Sequence, residues 1–127
     1  MNKTALVNVD IDTGAEVLSA LDKADLKIKV AAWFQLPEYG DWRLVLAARS
    51  FDLPDLREAY GLIRKALEAD EFPIERRPAI LVMRTSEPLI RDLRRIFGKT
   101  KSVAGMRLGG QTIGDRFVED GYVYRIA

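Results

Sequence analysis

The stretch from Ile28 to Arg49 constrains the fold most. It reads IKVAAWFQL, then PEYGD, then WRLVLAAR. Two runs rich in β-branched, aromatic and aliphatic residues around a short turn-forming segment are the signature of a β-hairpin. With Pro37 to Asp41 as the loop, Leu36 faces Trp42, Phe34 faces Leu44, Ala32 faces Leu46 and Val30 faces Ala48. That face is wholly apolar and belongs in a core. The other pairs Gln35 with Arg43, Trp33 with Val45, Ala31 with Ala47 and Lys29 with Arg49, so it is polar at its ends and apolar in the middle.

The elements around the hairpin follow from caps and periodicity. Thr13-Gly14-Ala15-Glu16 fits a capping box, with a helix running to about Ala24 whose buried face is Val17, Leu18, Leu21 and Ala24. Met1 to Asp10 is ambiguous, and Ala5 to Val9 reads as a short edge strand or an ordered arm. Asp52-Leu53-Pro54-Asp55 opens a second helix, Asp55 to Ala69, with Leu56, Tyr60, Ile63 and Leu67 on one stripe. Glu71 to Pro78 is a loop. Ala79 to Arg84 is apolar on both sides of the pleat, the pattern of a central strand covered on both faces. Ser86 caps a third helix that stops at Gly98, with Leu89, Ile90, Leu93, Ile96 and Phe97 turned inward. Ser102 to Leu108 is a further strand before a Gly109-Gly110 turn. Asp120-Gly121, between FVE and YVYRI, marks a tight hairpin. In that hairpin Arg116 faces Arg125, a like-charge pair that needs a carboxylate, an anion or another register to be tolerated.

The expected fold is therefore α+β: a single two-layer domain over residues 1–127, in the order α-β-β-α-β-α-β-β-β. It has a mainly antiparallel sheet of five or six strands and three helices mostly on one face. The length is that of one domain able to bury most of its surface.

Composition removes whole classes of chemistry. There is no cysteine and no histidine, so disulfides, thiolate metal sites, cysteine nucleophiles and histidine-based triads cannot be built. Chemistry by carboxylates, lysine, tyrosine, serine or threonine remains, as does carboxylate-bound magnesium. No cofactor is expected. No apolar run is long enough to cross a bilayer and the N-terminus lacks a secretory pattern, so a cytoplasmic location and no membrane partner are expected.

The net charge is +1, but Met1 to Leu56 carries 6 basic and 9 acidic residues while Arg57 to Ala127 carries 14 and 10. Within the second half, Arg91, Arg94 and Arg95 fall on the outer side of the third helix, and Lys99 and Lys101 continue the charge. These five form a candidate polyanion-binding surface, although solubility and the helix dipole also explain late basic residues. No aromatic platform or nucleic-acid motif accompanies them.

The second face of the hairpin is the other candidate. Ala31 and Ala47 leave a notch, Trp33 and Val45 wall it, and Gln35 and Arg43 stand at its rim, the composition of an interface anchor. Either one of the chain's own helices covers this face or a second copy does, making a homodimer. The weaker signals are ordinary turn chemistry. Asp10, Asp12, Asp115, Glu119 and Asp120 could bind magnesium for phosphodiester work only if the fold gathers them, and no well-placed proline-aspartate pair precedes Asp25-Leu26-Lys27 as a nuclease motif needs. Gly98-Lys99-Thr100 and Gly109-Gly110-Gln111-Thr112 lack the context of phosphate loops.

Taken together, AAWFQLPEYGDWRLVLA, SEPLIRDLRRIF and FVEDGYVYRI resemble a group of small, uncharacterised bacterial proteins. The likeness spans most of the chain and implies a bacterial cytoplasmic origin. It brings no activity, cofactor or catalytic residue with it. The sequence thus leads to a non-enzymatic binding or assembly module, self-associating around Trp33. A nucleic-acid-associated protein using the third helix is the alternative, and a metal-dependent phosphodiester-acting enzyme comes third.

Overall fold

A computed structural model describes residues 5–100 and 102–127. The described residues form α1 (Asn8–Lys23), β1 (Val30–Gln35), β2 (Trp42–Ala47), α2 (Leu56–Ala69), β3 (Ile80–Val82), α3 (Pro88–Phe97), β4 (Arg107–Ile113) and β5 (Arg116–Ile126). The strands make one sheet in the order β3-β2-β1-β5-β4, with only the β2–β3 pair parallel. This is the α+β domain with three helices and a mostly antiparallel sheet that the sequence predicts. The layering is fuller than expected, because α1 and α2 pack on one face and α3 on the other.

The hairpin register explains the difference. Trp33 lies opposite Leu44, Phe34 opposite Arg43 and Gln35 opposite Trp42, one residue away from the predicted pairing. The loop is longer than Pro37 to Asp41: the Leu36 carbonyl accepts from the Tyr39 and Gly40 amides at 3.1 and 3.2 Å, and Gly40 takes φ 73°. A one-residue slip exchanges the faces of a whole strand. Trp42, Leu44 and Leu46 therefore join Ala31 and Trp33 beneath α1 and α2, while Val45 and Ala47 join Val30, Ala32 and Phe34 beneath α3. Both faces are apolar, so the third helix has its own surface to bury.

Helix α1 begins at Asn8, ahead of the predicted start. The Asp10 carboxylate accepts from the Val7 amide at 3.2 Å, an acid reaching back to a free donor at the helix start. Thr13 is consequently a buried mid-helix residue, and Ala5 to Val9 contains no strand. Helix α2 carries the chain from β2 back to β3 as the crossover that a parallel pair requires. β3 meets both cores, with Ile80 and Val82 against one and Leu81 against the other, but it is a short edge strand and not a central one. Its outward Val82 amide donates to the Tyr60 hydroxyl at 2.9 Å, so a residue assigned to the apolar stripe also blunts an open sheet edge. Helix α3 starts at Pro88 with Glu87 before it, and Gly98 follows its last residue. Leu89, Ile90 and Leu93 are fully buried, whereas Ile96 is half exposed.

The C-terminal hairpin turns elsewhere than predicted. Ile113 pairs with Arg116, which places the two-residue turn at Gly114-Asp115, with Gly114 at φ 64°. Asp120-Gly121 lies inside β5, whose eleven residues run without a break. Gly121 stands opposite Phe34, and a Cβ on it would sit 2.6 Å from the Phe34 ring. The glycine seats an aromatic ring and makes no turn. Gly109 and Gly110 likewise lie within β4, and Ser102 to Met106 is a loop held to β5 through the Val123 backbone.

Replacing Gly121→Ala should destabilise the domain by about 1–3 kcal/mol through overpacking against Phe34. In contrast, Gly61→Ala, in α2 where nothing lies within 4 Å of an added Cβ, should stabilise it by about 0.5–1 kcal/mol. Urea unfolding midpoints of the two variants, moving in opposite directions from the parent, check both expectations.

Candidate functional site

The six residues predicted to share one sheet face do not. Ala31, Trp33 and Gln35 point to the α1/α2 side, and Arg43, Val45 and Ala47 to the α3 side, as the register dictates. Trp33 is 4% exposed, and Ala31, Val45 and Ala47 are fully buried. Arg43 lies over the Tyr39 ring, 5.5 Å from its centroid. The face on which the sequence placed self-association is closed by the chain's own helices.

Trp33 has a structural task instead. Its indole N–H donates to the Tyr124 hydroxyl at 3.0 Å and to the Asp10 carbonyl at 3.2 Å, while Tyr124 donates to the Ile11 carbonyl at 2.6 Å. Burial pushes the Tyr124 hydroxyl well above the ordinary phenol range, so it stays protonated and keeps donating. A bulge places Tyr124 there. The β1–β5 register jumps from Ala31–Arg125 to Ala32–Val123, leaving Tyr124 as the extra residue, so that both it and its neighbour Arg125 reach α1. Helix α1 comes close enough for this because of Gly14, where an added Cβ would meet the Tyr124 hydroxyl and lie 2.7 Å from the Trp33 nitrogen.

The predicted clash of Arg116 with Arg125 is absent, because the two are not paired and each meets carboxylates from elsewhere. Arg116 joins Glu38 at 2.7 Å and Glu87 at 3.1 Å, tying the first hairpin loop to the start of α3. Arg125 grips Asp22 with two nitrogens at 2.9 and 2.8 Å, and the guanidinium holds the Asp22 carboxyl below its usual 3.8.

Four of the five basic residues lie together. Arg91, Arg94, Arg95 and Lys99 line one open groove of about 530 Å³ together with Asp92 and Ala127. Arg94 donates to the Ala127 carbonyl at 2.8 Å. Asp92 is engaged by Arg95 at 3.4 Å and by the Gly114 amide at 3.0 Å. Among the described residues no Asp or Glu side chain pairs with Arg91, Arg94 or Lys99. Lys101 lies outside the described residues.

A second cavity, of about 380 Å³, opens where the first turns of α1 meet the hairpin and the Glu75–Ala79 segment. Trp33 and Trp42 both line it, as does Arg77. The indole nitrogen of Trp42 and the Nε of Arg77 are buried and, among the described residues, have no hydrogen-bond partner. Neither residue stands out in the sequence. With the predicted register Trp42 sits in the all-apolar face, and Arg77 is one of several loop arginines.

Among the described residues no three carboxylates come together where they could hold a metal ion. Asp120 pairs with Arg107 at 2.7 Å and accepts from its neighbouring amide. No described helix is long and apolar enough to cross a membrane. No protein-family model, curated protein or solved structure matches the chain.

Two outcomes follow from this geometry. Tyr124→Phe removes one acceptor and one donor from the α1 junction and should cost about 1 kcal/mol, seen as a lower urea midpoint. For Asp22 the folded carboxyl titrates below the unfolded value of 3.8. Its contribution is present above that value and is lost as pH falls through the folded one. Asp22→Asn should therefore lose no more than about 1 kcal/mol at neutral pH, because the pair is partly exposed. It should also flatten the decline in stability as pH falls below about 4, as measured by denaturation at a series of pH values.

Proposed function

We propose that the protein is a non-enzymatic binding module for a polyanion, with nucleic acid the first candidate, held on the outer face of α3. The observation that carries this reading is the convergence of Arg91, Arg94, Arg95 and Lys99 on one open groove whose only acidic side chain among the described residues, Asp92, is already engaged. Elsewhere many cations are neutralised by partners: Lys23 by Asp70, Arg76 by Glu16, Arg107 by Asp120, Arg116 by two glutamates and Arg125 by Asp22. In the groove, a phosphate backbone would supply the missing negative charge and release its counterions.

The same geometry says what kind of recognition to expect. Exposed Ile96 and half-buried Phe97 offer no row of aromatic rings on which bases could stack. Binding would rest on phosphates and show little sequence preference. Arg94 is tied to the Ala127 carbonyl, so its removal would disturb structure as well as charge. Arg91 and Lys99 are exposed and make the cleaner test.

Fluorescence anisotropy with labelled single- and double-stranded DNA and RNA over a salt series checks this reading. Affinity should fall steeply with salt, and Arg91→Ala/Lys99→Ala should weaken all sequences alike and reduce the salt slope by about one per lost contact. No binding at low salt, or binding indifferent to the double substitution, would refute it.

A further inference from the structure

We propose that the open edge of β3 receives an extended peptide segment carrying an acidic side chain, which adds to the sheet as a further strand. The groove beside this edge shares no lining residue with the basic groove of α3, and the proposal does not rest on what that groove binds.

A sheet edge is a row of main-chain donors and acceptors, and the partner that matches it is another main chain. On its inner side β3 is fully used. The Leu44 amide donates to the Ala79 carbonyl at 2.8 Å, and the Met83 amide to the Leu46 carbonyl at 3.0 Å. Residues that bond to a neighbouring strand alternate along the chain with residues whose amide and carbonyl turn the other way. Ile80 and Val82, which lie opposite Leu44 and Leu46, therefore present theirs to the outside. One of these groups has an internal partner: the Val82 amide donates to the Tyr60 hydroxyl at 2.9 Å. Among the described residues no other helix, loop or side chain bonds to the main chain of Ile80 or Val82. An oxygen that accepts from an outward strand amide occupies the place of the carbonyl of an added strand. Tyr60 is 38% exposed and belongs to neither core, so its ring can turn to water and yield that place without opening the interior.

The ground beside the edge selects the kind of strand. A groove of about 440 Å³ runs past Leu81 and Val82, walled by Leu56 and Tyr60 of α2 and by Glu87 and Arg116 next to the start of α3. Its charges do not cancel. Arg116 is matched by Glu38 and Glu87. Arg84, which also lines the groove, donates to the Leu53 and Pro54 carbonyls at 2.8 and 3.2 Å. Among the described residues no Asp or Glu side chain pairs with it. Asp55 senses its charge but is itself held by Arg57 at 2.9 Å. One positive charge is left over, and an acidic side chain on the incoming strand is its complement. A small anion would answer Arg84 and leave the edge unpaired, whereas a peptide answers both. Proline is excluded where the strand must donate, because it has no N–H.

The test is a titration of the isotope-labelled full-length protein, followed in proton–nitrogen correlation spectra. Three peptides are added, each to millimolar concentration: acetyl-TVEVT-amide, acetyl-TVKVT-amide, and the acidic peptide N-methylated at every residue. The acidic peptide should move the amide signals of Ile80 and Val82 and leave those of Arg91 and Lys99 in place. The lysine and N-methylated peptides should bind about tenfold more weakly or worse, having lost the charge match or the main-chain bonds. Arg84→Gln should bind the acidic and lysine peptides alike. Tyr60→Phe should bind the acidic peptide severalfold more tightly, because the Val82 amide then gives up no internal partner. Signal dispersion shows whether each variant is folded, and the parent titrations decide the matter if one is not. The proposal is overturned if the acidic peptide leaves Ile80 and Val82 unmoved or shifts Arg91 and Lys99 instead. Equal binding of the N-methylated peptide would overturn it as well, since the main chain would then be unread, and so would equal binding of the lysine peptide. A folded Tyr60→Phe that binds no more tightly than the parent would also overturn it, since the hydroxyl would then hold no place that the strand needs.

Discussion

The three-way contact of Trp33, Tyr124 and the first turns of α1 is the interaction on which the rest of the domain depends. It joins the central strand, its neighbour β5 and the N-terminal helix through directed hydrogen bonds, and directed bonds fix orientation where apolar contact alone would not. Two sequence features make it possible. The extra residue in β5 turns Tyr124 and Arg125 together toward α1, and Gly14 lets the helix approach. With α1 seated, Trp33 is covered, the α1/α2 core closes, and the cavity beside Trp42 acquires its first wall.

Much of this architecture is legible in the sequence, and the departures share a physical cause. Segments with a clear period read correctly: Ile63 and Leu67 on the inner face of α2, the buried Leu89, Ile90 and Leu93 of α3, and the two strands of the first hairpin. Errors arise where a glycine reads as a turn. Gly121 accommodates Phe34, a demand that comes from a strand far away in the sequence and that no local pattern reveals. The single-residue register error comes from the loop, because hairpin faces depend on parity and parity depends on the last residue counted into the turn. That one error merges two cores into one and leaves a face apparently open.

The functional surfaces divide in the same way. Arg91, Arg94, Arg95 and Lys99 recur at helical spacing, so their common face is written in the sequence itself. Trp42 and Arg77 come from different segments, and what sets them apart is that, among the described residues, the indole nitrogen of one and the Nε of the other have no acceptor. A missing hydrogen bond has no sequence signature: it appears only when every other donor and acceptor in the neighbourhood has been placed.

The position of β1 sets the timetable of assembly. It is the middle strand of the sheet, yet one of its two neighbours, β5, is encoded after both α2 and α3. During synthesis α1, the first hairpin, α2 and β3 can meet early, while the β1 edge that β5 will occupy stays unpaired until residues 116–126 emerge. Non-local pairing of this kind slows folding and leaves a strand edge open to other chains in the interval. The nascent domain is most vulnerable to aggregation just before its last strand arrives.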